Sequence, residues 1–241
     1  MSGANARPSL PIVTLDGWSG SGKSTLARHL ARSLGWTYLD SGAWYRALAW
    51  AVQRAGADPG NEEEVLGLLF RIRLNGSDDG SVRVDDHAPG AALRTPEIDL
   101  VVARVADHPR VRAALNERMR DLTRASEVRG LVADGRDAGT VIFPEARLKI
   151  FVEASLDERA RRRAAQRGGA DLERVRIAIA ERDRSDAARG ASAPRPAAAG
   201  RVLLNESFTV EEAVGRLLAW IRECFPGQAA PPGPTTSSDT T

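Results

Sequence analysis

The stretch Gly17-Trp18-Ser19-Gly20-Ser21-Gly22-Lys23-Ser24 decides how this chain is read. It fits G-x-x-x-x-G-K-[ST], and its flanks supply the context that this pattern needs. Ahead of it, Ile12 to Leu15 is a short apolar run ending at Asp16-Gly17, as a buried strand ends at a turn. Behind it, Leu26, Leu30 and Leu34 recur at helical spacing, and Gly35 stands where that helix should stop. Glycines let such a loop turn its backbone N–H groups inward, and the helix N-terminus adds positive potential. Lys23 then sets a point charge on the β- and γ-phosphates of a nucleoside triphosphate. Ser24 offers a hydroxyl to Mg2+, and Thr25 reaches a further phosphate. The lysine is telling. Only Lys23 and Lys149 are lysines among 34 basic residues, so elsewhere the chain uses Arg for its cations. The loop does not say where the terminal phosphate goes, because kinases, motors and switches share it.

Outward from the loop, Thr37 to Leu39 reads as a second strand, with Ser41 as cap of a helix to about Ala55. Glu62 to Phe70 is helical. Arg71 to Leu74 and Val82 to Val84 alternate polar and apolar around Asn75-Gly76 and Asp79-Gly80, which predicts a hairpin on a rim. Helix returns over Pro96 to Thr123, with a break near His108-Pro109. Leu131 to Ala133, Leu148 to Val152 and Val202 to Leu204 are apolar strands. Asp157 to Arg189 reads as one Arg-rich helical stretch, and Val210 to Arg222 as the last helix. Five apolar strands alternating with helices predict an α/β fold: a five-stranded parallel sheet covered on both faces. The expected organisation is a disordered leader over 1–10, a phosphate-loop core over 11–225, and a disordered tail over 226–241. The core would carry an insert at about 41–125, helices plus a small antiparallel hairpin, and an Arg-rich helical arm at about 157–199.

Composition excludes several classes. A net charge of +2 with interspersed acids does not argue for nucleic acid. One cysteine, Cys224, allows no intramolecular disulfide. No apolar run approaches the ~20 residues of a membrane span, and the N-terminus lacks a secretory apolar core. The expectation is a cytoplasmic protein, monomeric, with nucleotides as partners and neither nucleic acid nor membrane.

The acceptor side lies at strand ends, where ligands sit in open parallel sheets. The second strand runs into Asp40-Ser41-Gly42-Ala43-Trp44-Tyr45-Arg46. The third ends in Asp134-Gly135-Arg136-Asp137-Ala138-Gly139-Thr140. Asp134 at a strand tip is a second contact for the Mg2+ shell, with a turn or cap role as its plain alternative. GWSGSGKST, LDSGAWYRAL, LRTPEID, HPRVRAAL and VADGRDAGTVIFP occur in the order and spacing of bacterial cytidylate kinases, and the chain resembles that family over about residues 11 to 222. The resemblance implies transfer of the γ-phosphoryl of ATP to CMP or dCMP, with Mg2+. It implies that Ser41, Arg110 and Asp137 hold the cytosine, and that Tyr45, Arg46 and Arg136 lie near the acceptor phosphate. It implies that Arg182, Asp186 and Arg189 of ERDRSDAAR reach the acceptor phosphate and ribose; Arg159 and Arg163, by their spacing on a helical arm, can close over ATP. Lys23, Arg136, Arg182 and Arg189 would carry catalysis, and Gly17 to Thr25 would cradle ATP.

Arg159, Arg162 and Arg163, and likewise Arg182, Asp186 and Arg189, share helix faces by spacing. A solvated charged face is the plain alternative for both sets, and Arg161, Arg167, Arg174 and Arg176 are read that way. The chain departs from the family pattern at three places. Trp18 replaces an expected Pro, Ala103 replaces a Ser expected at the ribose, and Asn205-Glu206-Ser207 replaces Asp-Ser-Thr. Two rivals remain at this stage. One is a P-loop kinase for UMP or a hydroxyl acceptor such as shikimate, which would need Asp40 or Asp134 as base. The other is a nucleotide switch without an acceptor, although no N-K-x-D guanine motif is present.

Overall fold

A computed structural model describes residues 10–124, 128–166 and 168–227. Nearly all of the expected leader and tail, and Arg167, lie outside the described residues. The first strand, β1 (Ile12–Asp16), is buried throughout. It enters the phosphate loop and then α1 (Lys23–Leu34). Gly35 ends α1 in a left-handed conformation, φ 63°, with its N–H on the Arg32 carbonyl. Then follow β2 (Thr37–Asp40) and α2 (Ser41–Ala55). Asp40, not Ser41, caps α2: its carboxylate accepts from the Ala43 N–H at 2.9 Å. Ser41 is already the first helical residue.

The rim segment holds α3 (Glu62–Arg71), β3 (Leu74–Gly76), β4 (Val82–Val84), α4 (Pro96–Val105) and α5 (Pro109–Asp121). The hairpin's first strand begins later than the alternation suggested because α3 runs on to Arg71, and Leu74 pairs with Val84. The chain then returns through β5 (Leu131–Gly135), a single π-type turn (Ala138–Ile142), β6 (Leu148–Glu153), α6 (Leu156–Gln166), α7 (Leu172–Ala187), β7 (Arg201–Leu204) and α8 (Val210–Cys224). The helical stretch expected over Asp157–Arg189 is thus two helices. Gly168 and Gly169 take left-handed backbone angles of φ 71° and 85°. The Gly169 N–H closes on the Ala164 carbonyl, and Asp171 caps α7 through the Arg174 N–H.

The five long-pairing strands form one parallel sheet in the order β2-β5-β1-β6-β7. Side-chain alternation splits the core. Leu131 and Ala133 face α2 to α5, whereas Val13, Leu15, Val132 and Ile150 face α1 and α8. The chain leaves β1 to one side for β2 and returns to the other for β6, so a crevice opens at the carboxyl end of β1. The α6–α7 pair has a small cluster of its own, Ala160, Ala164, Val175 and Ile179. No helix among the described residues is long and apolar enough to cross a membrane.

Candidate active site

The phosphate loop is built by close backbone approach. Gly22 takes φ 91°, and a Cβ there would fall 2.6 Å from Asn205 Nδ2. At Gly17 a Cβ would fall 2.3 Å from the Val152 carbonyl oxygen. Asn205 in turn donates to the Ser21 carbonyl at 2.8 Å, so the loop after β7 braces the phosphate loop. Lys23 is buried, and its Nζ donates to the Trp18 carbonyl at 3.2 Å. Burial, and then the charge of Arg136, push its pKa down to about 7. Ser24 Oγ donates to Asp134 Oδ2 at 2.5 Å, and Tyr38 Oη donates to Asp134 Oδ1 at 2.8 Å. Burial, followed by the nearby Asp40 charge, raises the Asp134 pKa to about 6. Ser24 and Asp134 are hard oxygen donors side by side beside Lys23. That donor set fits Mg2+, which takes one or two protein ligands and fills the rest of its shell from phosphates and water.

A cavity of about 500 Å³ opens at the crevice. Its walls include Ser19, Gly20, Lys23 and Ser24 of the loop, and Ser41, Tyr45 and Arg46 of α2. Arg136 and Asp137 enter from the end of β5, Arg163 from α6, and Arg182, Asp186 and Arg189 from α7 and its end. The structure thus gathers most of the expected residues from distant parts of the chain. Thr25 lines a second hollow of about 520 Å³ on the other side of the loop, with Arg162, Arg163, Asn205 and Phe208.

Two of the expected arginines are not in these walls. Arg110 lies on the outer surface of α5, where it pairs with Glu63. Arg112 takes the inner position. It donates to Asp137 Oδ2 at 2.5 Å, and its guanidinium lies 5.3 Å from the Tyr45 ring centroid. Arg159 is buried below the loop: its guanidinium binds the Ser19 carbonyl at 3.1 Å, the Ala154 carbonyl at 3.1 Å and Asp183 at 2.7 Å. Three of its five N–H donors are thereby committed to the protein.

Asp99, Asp107, Arg94, Asn116 and Asp16, which bind the expected residues or brace the site, were not singled out by sequence. Arg136 donates to Asp186 at 2.7 Å, and Arg189 binds Asp186 and Asp107. Asp99 takes one bond from Arg46 and one from Arg182. Asp40 receives Arg94 at 3.1 Å. Asp16, at the end of β1, accepts from the Ala138 N–H at 2.7 Å and the Gly139 N–H at 2.8 Å, and so fixes the turn that follows Arg136 and Asp137. Its only sequence sign was a carboxylate at the tip of an apolar strand. Ser41 Oγ donates to the Asp134 carbonyl, and Tyr45 Oη to Asn116.

The chain is similar to known proteins in sequence and in fold. A model of the cytidylate kinase family matches residues 13–223. The cytidylate kinase of Nitrosomonas eutropha is 39% identical over 87% of this chain and 93% of its own. The bifunctional pantoate ligase/cytidylate kinase of Synechococcus sp. strain RCC307 is 38% identical over 91% of this chain and 44% of its own, so the chain spans less than half the length of that relative. An uncharacterized protein from Eubacterium ventriosum, 14% identical with a TM-score of 0.50 over 88% of this chain and 98% of its own, shares the fold. Taken with the phosphate loop, the parallel sheet and the Asp/Arg-lined cavity beside them, these matches show that the chain belongs to the cytidylate kinase family.

Proposed function

We propose that this protein moves the γ-phosphoryl of ATP to CMP or dCMP, giving ADP and CDP or dCDP. One observation carries the reading: a single cavity is walled on one side by the phosphate loop and on the other by Asp137 with Arg112 and by Arg46, Arg136, Arg182 and Arg189. A donor triphosphate and an acceptor monophosphate would therefore meet across it. Cytosine offers one amino donor beside two acceptors, which suits a carboxylate with a guanidinium at its side. Asp137, Arg112 and Ser41 form such a group, and Arg112 takes the role first expected of Arg110. Lys23 and Ser24 face the donor phosphates, with Gly17 to Thr25 as their cradle. Ser24 and Asp134 would hold Mg2+, which would neutralise phosphate charge.

The acceptor phosphate is already an anion at neutral pH, so catalysis needs positioning and charge stabilisation more than a base. Both candidate bases are otherwise engaged. Asp40 binds the Ala43 N–H and Arg94, and Asp134 binds Ser24 and Tyr38. That favours a phosphate over a hydroxyl acceptor. The insert at about 41–125 would take the acceptor and the arm at about 157–199 would close on it, with the protein acting as a monomer. The test is coupled ADP release with Mg-ATP and CMP, dCMP, UMP, AMP or shikimate. Fast turnover with CMP is expected, with dCMP close behind, because Ala103 offers no hydroxyl to the sugar. ADP release that no acceptor accelerates would sink the reading.

A further inference from the structure

The arginines of the cavity are not held alike. Arg112 and Arg136 make tight, charge-assisted bonds at 2.5 and 2.7 Å to Asp137 and Asp186, both of them almost fully buried acids. Arg46 and Arg182 instead share one oxygen. Each donates to Asp99 Oδ1 at 3.3 Å, longer than the ~2.7–3.2 Å of ordinary N–H···O bonds. Asp99 is also more open, with its side chain 25% exposed against 4% for Asp186. The buried Nε of Arg46 has no hydrogen-bond partner. The two guanidinium groups come from α2 and α7 and the carboxylate from α4, so this one acid draws three elements together around like charges. Burial, and then the charges of Arg136 and Arg46, lower the pKa of Arg182, against the pull of Asp99 and Asp186.

We propose that Asp99 is an internal stand-in for the acceptor's phosphate. It holds Arg46 and Arg182 together while the site is free of nucleotide, and the acceptor phosphate displaces it. The inference rests on the reading of this cavity as the acceptor site. A phosphate dianion brings two charges and three oxygens, enough for separate bonds to both arginines and to the unpartnered Arg46 Nε, where Asp99 offers one shared oxygen. The phosphate therefore wins, but part of its binding energy goes into displacing the carboxylate. Asp99 thus lowers apparent affinity for the acceptor and, through Arg182, keeps α7 near the insert between turnovers. Arg189 to Asp107, at 3.2 Å, makes a second tie between the same parts.

The experiment is steady-state kinetics with Mg-ATP and varied CMP on the wild type, Asp99→Asn and Asp99→Ser. Glu97→Gln is the control. It removes one charge from α4 two residues away, at an exposed position without a bond to either arginine. Displacement predicts that KM for CMP falls roughly three- to tenfold in both Asp99 variants, as the competent fraction of the site rises, and stays within about twofold in the control. Inorganic phosphate, added as a competitor of CMP, should inhibit the variants at correspondingly lower concentration. A KM that is unchanged or raised in both variants overturns the proposal, since Asp99 would then be a prop that arranges the arginines for substrate. A wild type inert towards CMP sinks the functional reading itself. Phosphate binding measured by calorimetry still decides the role of Asp99 in that case. Tighter binding in both variants supports displacement, and equal or weaker binding overturns it.

Discussion

Lys23 and Arg112 show what a single residue contributes here. Lys23 is 6% exposed, and its amine is held by a loop carbonyl, ready to exchange that partner for phosphate. Lys23→Ala should lose at least about a hundredfold in kcat, the scale of removing one preorganised charge from a developing anion. Its circular dichroism spectrum should not change, and near-normal turnover would exclude the role. Arg112 and Arg110 form a paired test. Arg112→Ala leaves Asp137 without its partner in a buried setting and should raise KM for CMP at least about tenfold, the scale of a lost bond to a charged group. Arg110→Ala removes a surface ion pair and should leave KM within about twofold. The choice between them was readable in principle. With about 100° per residue, Val111, Leu115 and Met119 mark the buried face of α5. Arg112 lies about 60° from its centre and Arg110 about 140° away. Motif matching alone passed over that difference.

At the scale of elements, the arm formed by α6 and α7 is held by little apolar surface. Its cluster is Ala160, Ala164, Val175 and Ile179. Arg159 therefore serves as a strut: it ties α6 to α7 through Asp183 and to the phosphate loop through the Ser19 carbonyl. Arg159→Ala leaves these half-buried acceptors without their partner, at about 1–3 kcal/mol at most. Amide hydrogen exchange in α6 and α7 should quicken before that of β1 or β5. Unchanged exchange together with a raised KM for ATP would return Arg159 to the nucleotide-contact role that its helical spacing suggested. The split between the two helices was also legible in part. Gly168-Gly169 followed by Asp171 is a stop and a start signal in sequence, though continuous Arg spacing on either side hid it.

For the whole molecule, the sheet brings Asp16 and the turn after β5 together across 122 positions of sequence. Burial raises the Asp16 pKa from 3.8 to about 6, against two N–H bonds that lower it. The folded state therefore holds this proton more tightly than the unfolded chain. The contribution of Asp16 to stability falls as pH rises from about 4 through 6 and is flat above. Asp186 works the other way: its carboxyl is held below the usual range by Arg136, Arg189 and Arg182 despite burial, so its stabilisation is lost as pH falls. Thermal melts of wild type and Asp16→Asn from pH 4 to 7 isolate the first effect. Asn offers one acceptor where two N–H groups need one each, which is a constant penalty at every pH. On top of it, the difference in Tm should move in the variant's favour as pH rises through 4 to 6. A difference independent of pH would show that Asp16 carries no shifted proton.

The sequence alone determined the phosphate loop, the alternation of five strands with helices, the rim hairpin and the family. Each is written locally: in turn-forming glycines, in apolar periods of 2 and 3.6, and in motifs a dozen residues long. Tertiary structure alone decided which charged groups meet. Arg112, which helical phase already turns inward, meets Asp137 there, Arg159 turns inward to Asp183, Asp16 holds the turn after Asp137, and Asp99 joins Arg46 to Arg182. The physical reason is that an arginine reads the same in sequence whether it faces water or a carboxylate. Only packing of elements from distant parts of the chain sets the burial and distance that separate a solvated charge from a binding group.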